Sequence, residues 1–139
     1  MMTPIHTASI NGHPVRLFRS PLNDGRPDFN WVAWDDLLAA FPLPSDMKTD
    51  FIRRLRSDWP DESRTVATAE GLAVLVAHHA AQGFLAAMTE CLGIDAECNY
   101  AMGAAAALKL MTGHLAFPDG VVAYAAAASR RWDAEGGTA

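Results

Sequence analysis

Cysteine is scarce in this sequence, which has only Cys91 and Cys98 among its 139 residues. The two lie seven residues apart with a predicted helix break between them, which is not the spacing of zinc ligands. We therefore expect free thiols, as in a reducing compartment, and no bound metal or other cofactor.

Features of export and membrane insertion are also missing. The N-terminus lacks the basic start and apolar core of a secretory signal. No apolar run reaches the roughly 18 residues that a membrane-spanning helix needs, and the alanine-rich stretch at 101–108 is too short. We expect a cytoplasmic protein with no membrane segment.

Reactive side chains form no recognisable catalytic motif. No serine lies in a nucleophile elbow, and the one Gly-Gly pair, Gly136-Gly137, lies in the tail rather than in a phosphate-binding loop. Adjacent His78 and His79 point to different sides of a helix, whereas helical metal-ligand pairs are three or four residues apart. We expect a non-enzymatic protein without catalytic residues.

The charge balance is acidic, with 11 basic against 16 acidic residues and a net charge of −5. Such a chain is repelled by nucleic-acid phosphates at long range, so DNA binding would need a local basic patch. The same balance favours partners with basic surfaces. The length and the hydrophobic half of the composition predict one domain over residues 1–139.

The first half of the chain is predicted to form strands and short helices. Asn11-Gly12 between two strand-like runs predicts a hairpin with a type I′ turn. Further strands are predicted at 29–34 and 64–67, and helices at 36–41, capped by Asp35, and at 45–58, capped by Ser45 or Asp46.

The second half reads as helical. Thr68 is predicted to cap a long apolar helix over 69–92 that ends at Gly93, followed by helices at 95–111 and 118–132. This gives a strand-rich part at 1–67, a helical part at 68–133 and a frayed tail at 134–139. We predict an α+β fold, with a small antiparallel sheet (the N-terminal hairpin plus one or two strands) packed on a helical C-terminal layer.

Apolar surface in the predicted helices suggests self-association. A helix that is apolar around most of its circumference, as at 69–92, must be covered on more than one side. Either the last two helices or a second copy could cover it. The stripe of the last helix is the predicted homodimer interface, formed by Val121, Ala125, Ala128 and Trp132.

Basic residues on the helix at 45–58 are the main candidates for a binding site. Nearby carboxylates such as Asp50 nearly cancel them, so a solvated face is the alternative. Trp59, in a Trp-Pro-Asp turn, is expected to be partly exposed, and tryptophan and arginine are enriched at binding hot spots. The predicted nucleic-acid- or partner-binding residues are Lys48, Arg53, Arg54, Arg56, Arg16, Arg19 and Trp59.

Two sequence blocks resemble the BRO-N domain, the N-terminal domain of phage antirepressors and related viral and prophage regulators. Residues 31–38 (WVAWDDLL) look like the family's aromatic strand, aspartate and short helix. Residues 68–75 (TAEGLAVL) are similar to its Ser/Thr-Glu-x-Gly-Leu-x-x-Leu block, with one residue fewer between Glu and Gly. Ala80 and Phe84 resemble residues that follow that block. The match covers about residues 10–90.

The resemblance implies a phage or mobile-element regulator that acts by binding. Three classes of function stay open. The first binds a protein, as a repressor or antirepressor does, or as an inhibitor of a host defence complex such as an anti-CRISPR does. The second binds DNA through Arg53, Arg54 and Arg56, and the third is a structural or enzyme-accessory module. The acidic balance and small size favour the first.

Overall fold

The computed structural model describes residues 1–132, which form a five-stranded antiparallel sheet and five α-helices. The α+β prediction is confirmed, and the predicted frayed tail lies outside the described residues. The strands are β1 (His6–Ile10), β2 (His13–Phe18), β3 (Trp31–Ala33), β4 (Ser63–Thr68) and β5 (Gly71–Ala77). The helices are α1 (Trp34–Ala39), α2 (Ser45–Asp58), α3 (His78–Leu92), α4 (Glu97–Met111) and α5 (Asp119–Trp132).

The strands lie side by side in the order β1-β2-β3-β5-β4. The β1–β2 hairpin closes as predicted, because Asn11 and Gly12 have φ values of 50° and 78°, which a type I′ turn requires. The Asn11 side chain also donates from Nδ2 to the Ala40 carbonyl at 2.8 Å. The turn is thereby fixed to the end of α1.

The predicted helix over 69–92 is wrong in its first third. Residues Gly71–Ala77 form β5 in the middle of the sheet, and α3 begins only at His78. A continuous apolar run that contains Val74 and Val76 fits a strand covered on both faces as well as a buried helix. The boundary between the strand-rich and helical parts therefore falls at 77–78 rather than 67–68. Gly93 ends α3 as predicted, with a φ of 68°.

Thr68 closes a hairpin instead of capping a helix. It pairs with Gly71 across a two-residue turn, and Gly71 has a φ of 108°. The Thr68 hydroxyl donates to the Gly71 carbonyl at 2.7 Å and accepts from the Glu70 amide at 3.2 Å. The hydroxyl that could cap a helix thus satisfies main-chain hydrogen-bonding groups of a turn instead.

The other predicted helix caps also differ from the structure. α1 begins at Trp34 and α2 at Ser45, so Ala33 and Pro44 occupy the cap positions, and within residues 1–132 neither makes a side-chain cap bond. The predicted end of α2 at Asp58 is confirmed. Among the described helices, none is both long enough and apolar enough to cross a bilayer.

Both faces of the sheet are buried. Alternate residues of the strands, such as Val15, Leu17 and Val32, pack on one face beneath α1 to α4. The opposite face, which includes Trp31 and Leu75, packs against Trp132 at the end of α5. This two-sided cover explains why β5 has no polar alternation.

Helix α4 lies unusually close to β1. A Cβ atom added to Gly103 would be only 2.6 Å from the Ala8 Cβ atom, so no larger residue fits there without a shift. Beside this contact, next to the edge of the sheet, Met102 is 68% exposed.

Candidate functional site

The most exposed aromatic residue among the predicted site residues is Trp59. The residue breaks α2 with φ −134° and ψ 61°, and a 3-10 turn (Pro60–Glu62) then leads into β4. Its amide donates to the Leu55 carbonyl at 3.0 Å, and its carbonyl accepts from the Glu62 amide at 3.1 Å. The backbone is therefore fixed while the side chain is 55% exposed, as the Trp-Pro-Asp turn predicted.

Two clefts meet at Trp59. An apolar groove of about 460 Å³ runs between α2 and α3, and a polar cleft of about 500 Å³ lies beside the 3-10 turn. Asp58, Trp59 and Glu62 line both. The remaining lining of the groove is Trp34, Phe51, Arg54, Leu55, His79, Ala80, Gly83, Phe84 and Ala87. The remaining lining of the polar cleft is Leu22, Asn23, Asp24, Arg26, Pro60, Asp61, Arg64, Arg131 and Trp132.

The floor of the apolar groove is built from packed aromatic rings. Phe84 meets Trp34, Phe41 and Phe51 edge to face, with centroids 5.0, 5.5 and 5.7 Å apart. Such pairs add about 0.5–1.5 kcal/mol each beyond area burial. The groove is therefore preformed rather than opened by a ligand.

A histidine–carboxylate pair separates the two clefts. His79 Nε2 lies 2.5 Å from Glu62 Oε1, and the His79 ring packs on Trp132 at 4.5 Å. The other ring nitrogen, Nδ1, is buried and has no partner among the described residues. A general base needs a nitrogen that reaches the substrate, so this pair is arranged to hold the turn, α3 and α5 together.

A bidentate ion pair fixes the far wall of the polar cleft. Arg131 is buried and donates from Nη1 and Nη2 to the two carboxylate oxygens of Asp24, at 3.1 and 2.5 Å. The Arg131 guanidinium, helped by the Arg26 amide, holds the pKa of Asp24 well below its usual range. The end of α5 is thereby attached to the loop between β2 and β3.

The carboxylates next to Trp59, those of Asp58 and Asp61, have no ion-pair partner within residues 1–132. In this part of the chain, Asp58 accepts only from the Ser57 hydroxyl, at 3.2 Å. Nearby Arg64 is directed to the Pro60 and Ser63 carbonyls, at 3.2 and 2.8 Å. The two clefts together are lined by four carboxylates and four guanidinium groups, so the surface around the exposed indole is charged and accessible.

The predicted basic cluster on α2 is divided between two faces. Arg53 and Arg54 both pair with Asp50, the latter at 2.9 Å, as expected for residues three and four apart. Arg53 and Arg56 share a shallow concavity, whereas Arg54 lines the apolar groove. In the described part of the chain, Arg56 and Lys48 make no ion pair.

The basic residues predicted on the hairpin do not join this cluster. Arg16 binds Asp36 through Nε and Nη2, at 2.8 and 3.1 Å, and Glu70 at 3.0 Å. Hydrogen bonding to Asp36 raises the pKa of Arg16. Asp36, in the first turn of α1, thus links α1 to β2. Arg19 is exposed, and no ion pair in residues 1–132 connects it to α2.

The predicted dimer stripe is partly used inside the chain. Ala128 and Trp132 are buried, and Trp132 packs on the sheet, so a second copy cannot reach them in this fold. Val121 and Ala125 are half-buried. The exposed apolar residue at this end of α5 is Val122.

Sequence reasoning missed a buried polar network at the start of β3. The Tyr100 hydroxyl donates to His78 Nδ1 at 2.6 Å and accepts from Asn30 Nδ2 at 3.1 Å, and Phe29 packs on the His78 ring. Burial lowers the pKa of His78 to about 4 and raises the pKa of Tyr100. Asn30, a polar residue within the predicted apolar strand at 29–34, was a local hint of this network.

Buried Asp28 forms the second half of this network. Its carboxylate accepts from Trp31 Nε1 at 2.9 Å, from Trp132 Nε1 at 2.8 Å and from the Phe29 amide at 2.8 Å. The Tyr124 hydroxyl donates to the Asp28 carbonyl at 2.7 Å. Asp28 therefore holds α5 on the sheet.

Metal-ligating side chains do not converge within residues 1–132, where no group of three His, Cys, Asp or Glu residues is placed to hold an ion. Cys91 and Cys98 are exposed and free, as predicted. Comparisons with protein-family models, curated proteins and solved structures returned no match. The resemblance to the BRO-N domain therefore stays a prediction.

Proposed function

We propose that this protein binds a partner protein through the Trp59 surface, which comprises Trp59, Asp58, Asp61 and the adjoining apolar groove. The observation that carries the proposal is an exposed tryptophan, fixed by its backbone, at the edge of a preformed apolar groove. Aromatic anchors beside concave apolar surface are the usual centres of protein interfaces.

The charges define the chemistry of the partner. Asp58 and Asp61 make no ion pair within residues 1–132, and in a chain of net charge −5 they favour a segment that carries lysine or arginine. Such a cation can also lie over the Trp59 ring, which contributes about 0.5–1 kcal/mol at an exposed site. An apolar side chain of the same segment would enter the groove above Phe84.

The regulatory part of the proposal rests on the resemblance. A BRO-N-like domain would act by binding a regulator or a defence complex rather than by catalysis. The arrangement of His79 and Glu62 supports a non-enzymatic role, because Nε2 of His79 is bound to Glu62 and Nδ1 is buried out of reach of a substrate.

Replacing Trp59 with alanine is expected to weaken binding of the partner at least tenfold, since it removes the central anchor (about 2 kcal/mol at a hot spot). The partner is first captured from the native host on tagged wild-type protein and identified by mass spectrometry. Its Kd is then measured for wild type and Trp59→Ala. Phe117→Ala is the matched control, because Phe117 is another exposed aromatic, 86% exposed, and lies outside both clefts.

Equal affinity of Trp59→Ala and the wild type would place the binding site elsewhere and contradict the proposal. Equal losses in Trp59→Ala and Phe117→Ala would contradict it too, because the effect would then reflect general surface hydrophobicity. Asp58→Lys with Asp61→Lys should add a further loss if the partner segment is basic.

DNA binding through α2 is the second candidate, favoured by Arg56, which lies beside Arg53 and makes no ion pair in the described part of the chain. We expect no retardation of random duplex DNA in a gel shift at low salt, about 50 mM, because the protein is acidic and Arg53, Arg54 and Arg16 are neutralised. Retardation that falls steeply with salt, and is lost when Arg53 and Arg56 are both changed to alanine, would favour DNA instead.

A further inference from the structure

The β1 edge of the sheet has unused hydrogen-bonding groups. The Arg16 amide donates to Asp36 rather than to β1, which shows that the Thr7–Arg16 pair is not hydrogen-bonded across the β1–β2 ladder. By the alternation of an antiparallel ladder, the main-chain groups of Thr7 and Ser9 point away from β2. No strand of residues 1–132 lies on that side.

The opposite edge of the sheet is treated differently. The Met2 amide donates to the Ala67 carbonyl at 2.8 Å, and Met2 forms a parallel bridge with Thr68. The chain's own N-terminal residues thereby cover part of β4. Within residues 1–132 the β1 edge has no such cover, although open edges attract other strands.

A groove follows the open edge. Helix α4 overlies β1 closely because Gly103 has no side chain, and Met102 stands exposed above the edge. The groove between them has a volume of about 540 Å³. Its lining includes no Asp, Glu, Lys or Arg: it consists of His6, Thr7, Ala8, Ser9, Gly12, Asn99, Met102 and Gly103.

We infer that the β1 edge is a second binding surface, which takes an extended, uncharged segment of a partner protein as a sixth strand. The main-chain groups of Thr7 and Ser9 provide two donors and two acceptors, and Met102 contacts a side chain on the face of the segment that is turned to α4. A second copy of this chain fits poorly. Pairing β1 with β1 would bring two α4 helices within about one strand spacing, 4.8 Å, whereas packed helices need about 8–10 Å.

The test uses a displayed library of random dodecapeptides, selected on the wild type and counter-selected on Ser9→Pro. Proline at this position removes an outward N–H and leaves the β1–β2 ladder intact. Ser9→Ala is the matched control, because it changes the side chain and keeps the amide. We expect peptides that bind the wild type and Ser9→Ala alike and lose at least tenfold in affinity on Ser9→Pro.

One further protein variant and one peptide modification keep the result interpretable if Ser9→Pro unfolds. Met102→Glu places a charge above the groove from an exposed helix position and should reduce affinity at least tenfold. N-methylation of alternate peptide residues should do the same, since it removes the donors that pair with β1. The inference is overturned if no peptide distinguishes the wild type from these variants, or if the N-methylated peptides bind equally well.

Discussion

Replacing Asp28 with alanine is expected to lower the free energy of unfolding by roughly 3 kcal/mol, the largest effect of any single change considered. The carboxylate is the acceptor for two buried indole N–H groups, those of Trp31 and Trp132. Each buried donor that loses its acceptor costs about 1–3 kcal/mol. Removing Asp28 also removes the free-energy cost of burying its carboxylate, which offsets part of this destabilisation.

The loss should be concentrated at the junction between α5 and the sheet. Trp132 is the residue of α5 that packs on the second face of the sheet, and Asp28 fixes its ring there. A domain of this kind is stable by only about 5–15 kcal/mol. Asp28→Ala is therefore expected to shift the urea midpoint markedly, as followed by tryptophan fluorescence.

Two controls separate the hydrogen bonds from packing. Asp28→Asn keeps the shape of the side chain and one acceptor oxygen, but it turns an amide N–H₂ towards the other indole. We therefore expect it to lower the free energy of unfolding by about half as much as Asp28→Ala. Combined with Trp132→Phe, Asp28→Ala should lose less than the sum of the two single changes, by about 0.5–3 kcal/mol. A loss below about 1 kcal/mol for Asp28→Ala, or strict additivity with Trp132→Phe, would contradict this account.

Features that depend on neighbouring residues could be predicted from the sequence. The Asn11-Gly12 turn, the end of α2 at Asp58 and the end of α3 at Gly93 each follow from local backbone preference. The exposure of Trp59 followed from the turn that contains it. In contrast, the run at Gly71–Ala77 satisfies helix and strand patterns alike, and only the strands on either side decide between them.

The polar network could not be predicted because its members are far apart in the chain. Asn30 meets Tyr100 across 70 residues, and Asp28 meets Trp132 across 104. A single sequence contains no sign of such pairs. For the same reason the pairing of Arg16 could not be predicted, since its partner Asp36 lies on another element.

The second large effect concerns acid stability. The stability of the wild type should fall as the pH decreases from about 6.5 towards 4, and His78→Asn should remove much of that decline. Burial is the main reason that the pKa of His78 is lowered to about 4 from its ordinary value of 6.5, and repulsion from His79 adds to it, against attraction from Asp28. This difference corresponds to roughly 3 kcal/mol at about 1.4 kcal/mol per pH unit.

The direction follows from where the proton binds. Between pH 6.5 and 4 the imidazole of the unfolded chain is protonated, whereas folded His78 stays neutral and accepts from the Tyr100 hydroxyl. Lowering the pH therefore favours the unfolded state across this window. Above about pH 6.5 the contribution of His78 is fully present, and no further gain is expected from this group.

The measurement compares urea unfolding of the wild type and His78→Asn at several pH values between 7 and 4. The asparagine Oδ1 can take the position of Nδ1 as acceptor for Tyr100, so the variant should fold and lose about 1 kcal/mol at pH 7 from packing with Phe29. Carboxylates elsewhere titrate in both proteins, so their contribution to the pH dependence of stability cancels in the comparison. Parallel pH profiles, or an NMR titration of His78 with a midpoint near 6.5, would show that the buried imidazole does not control acid stability.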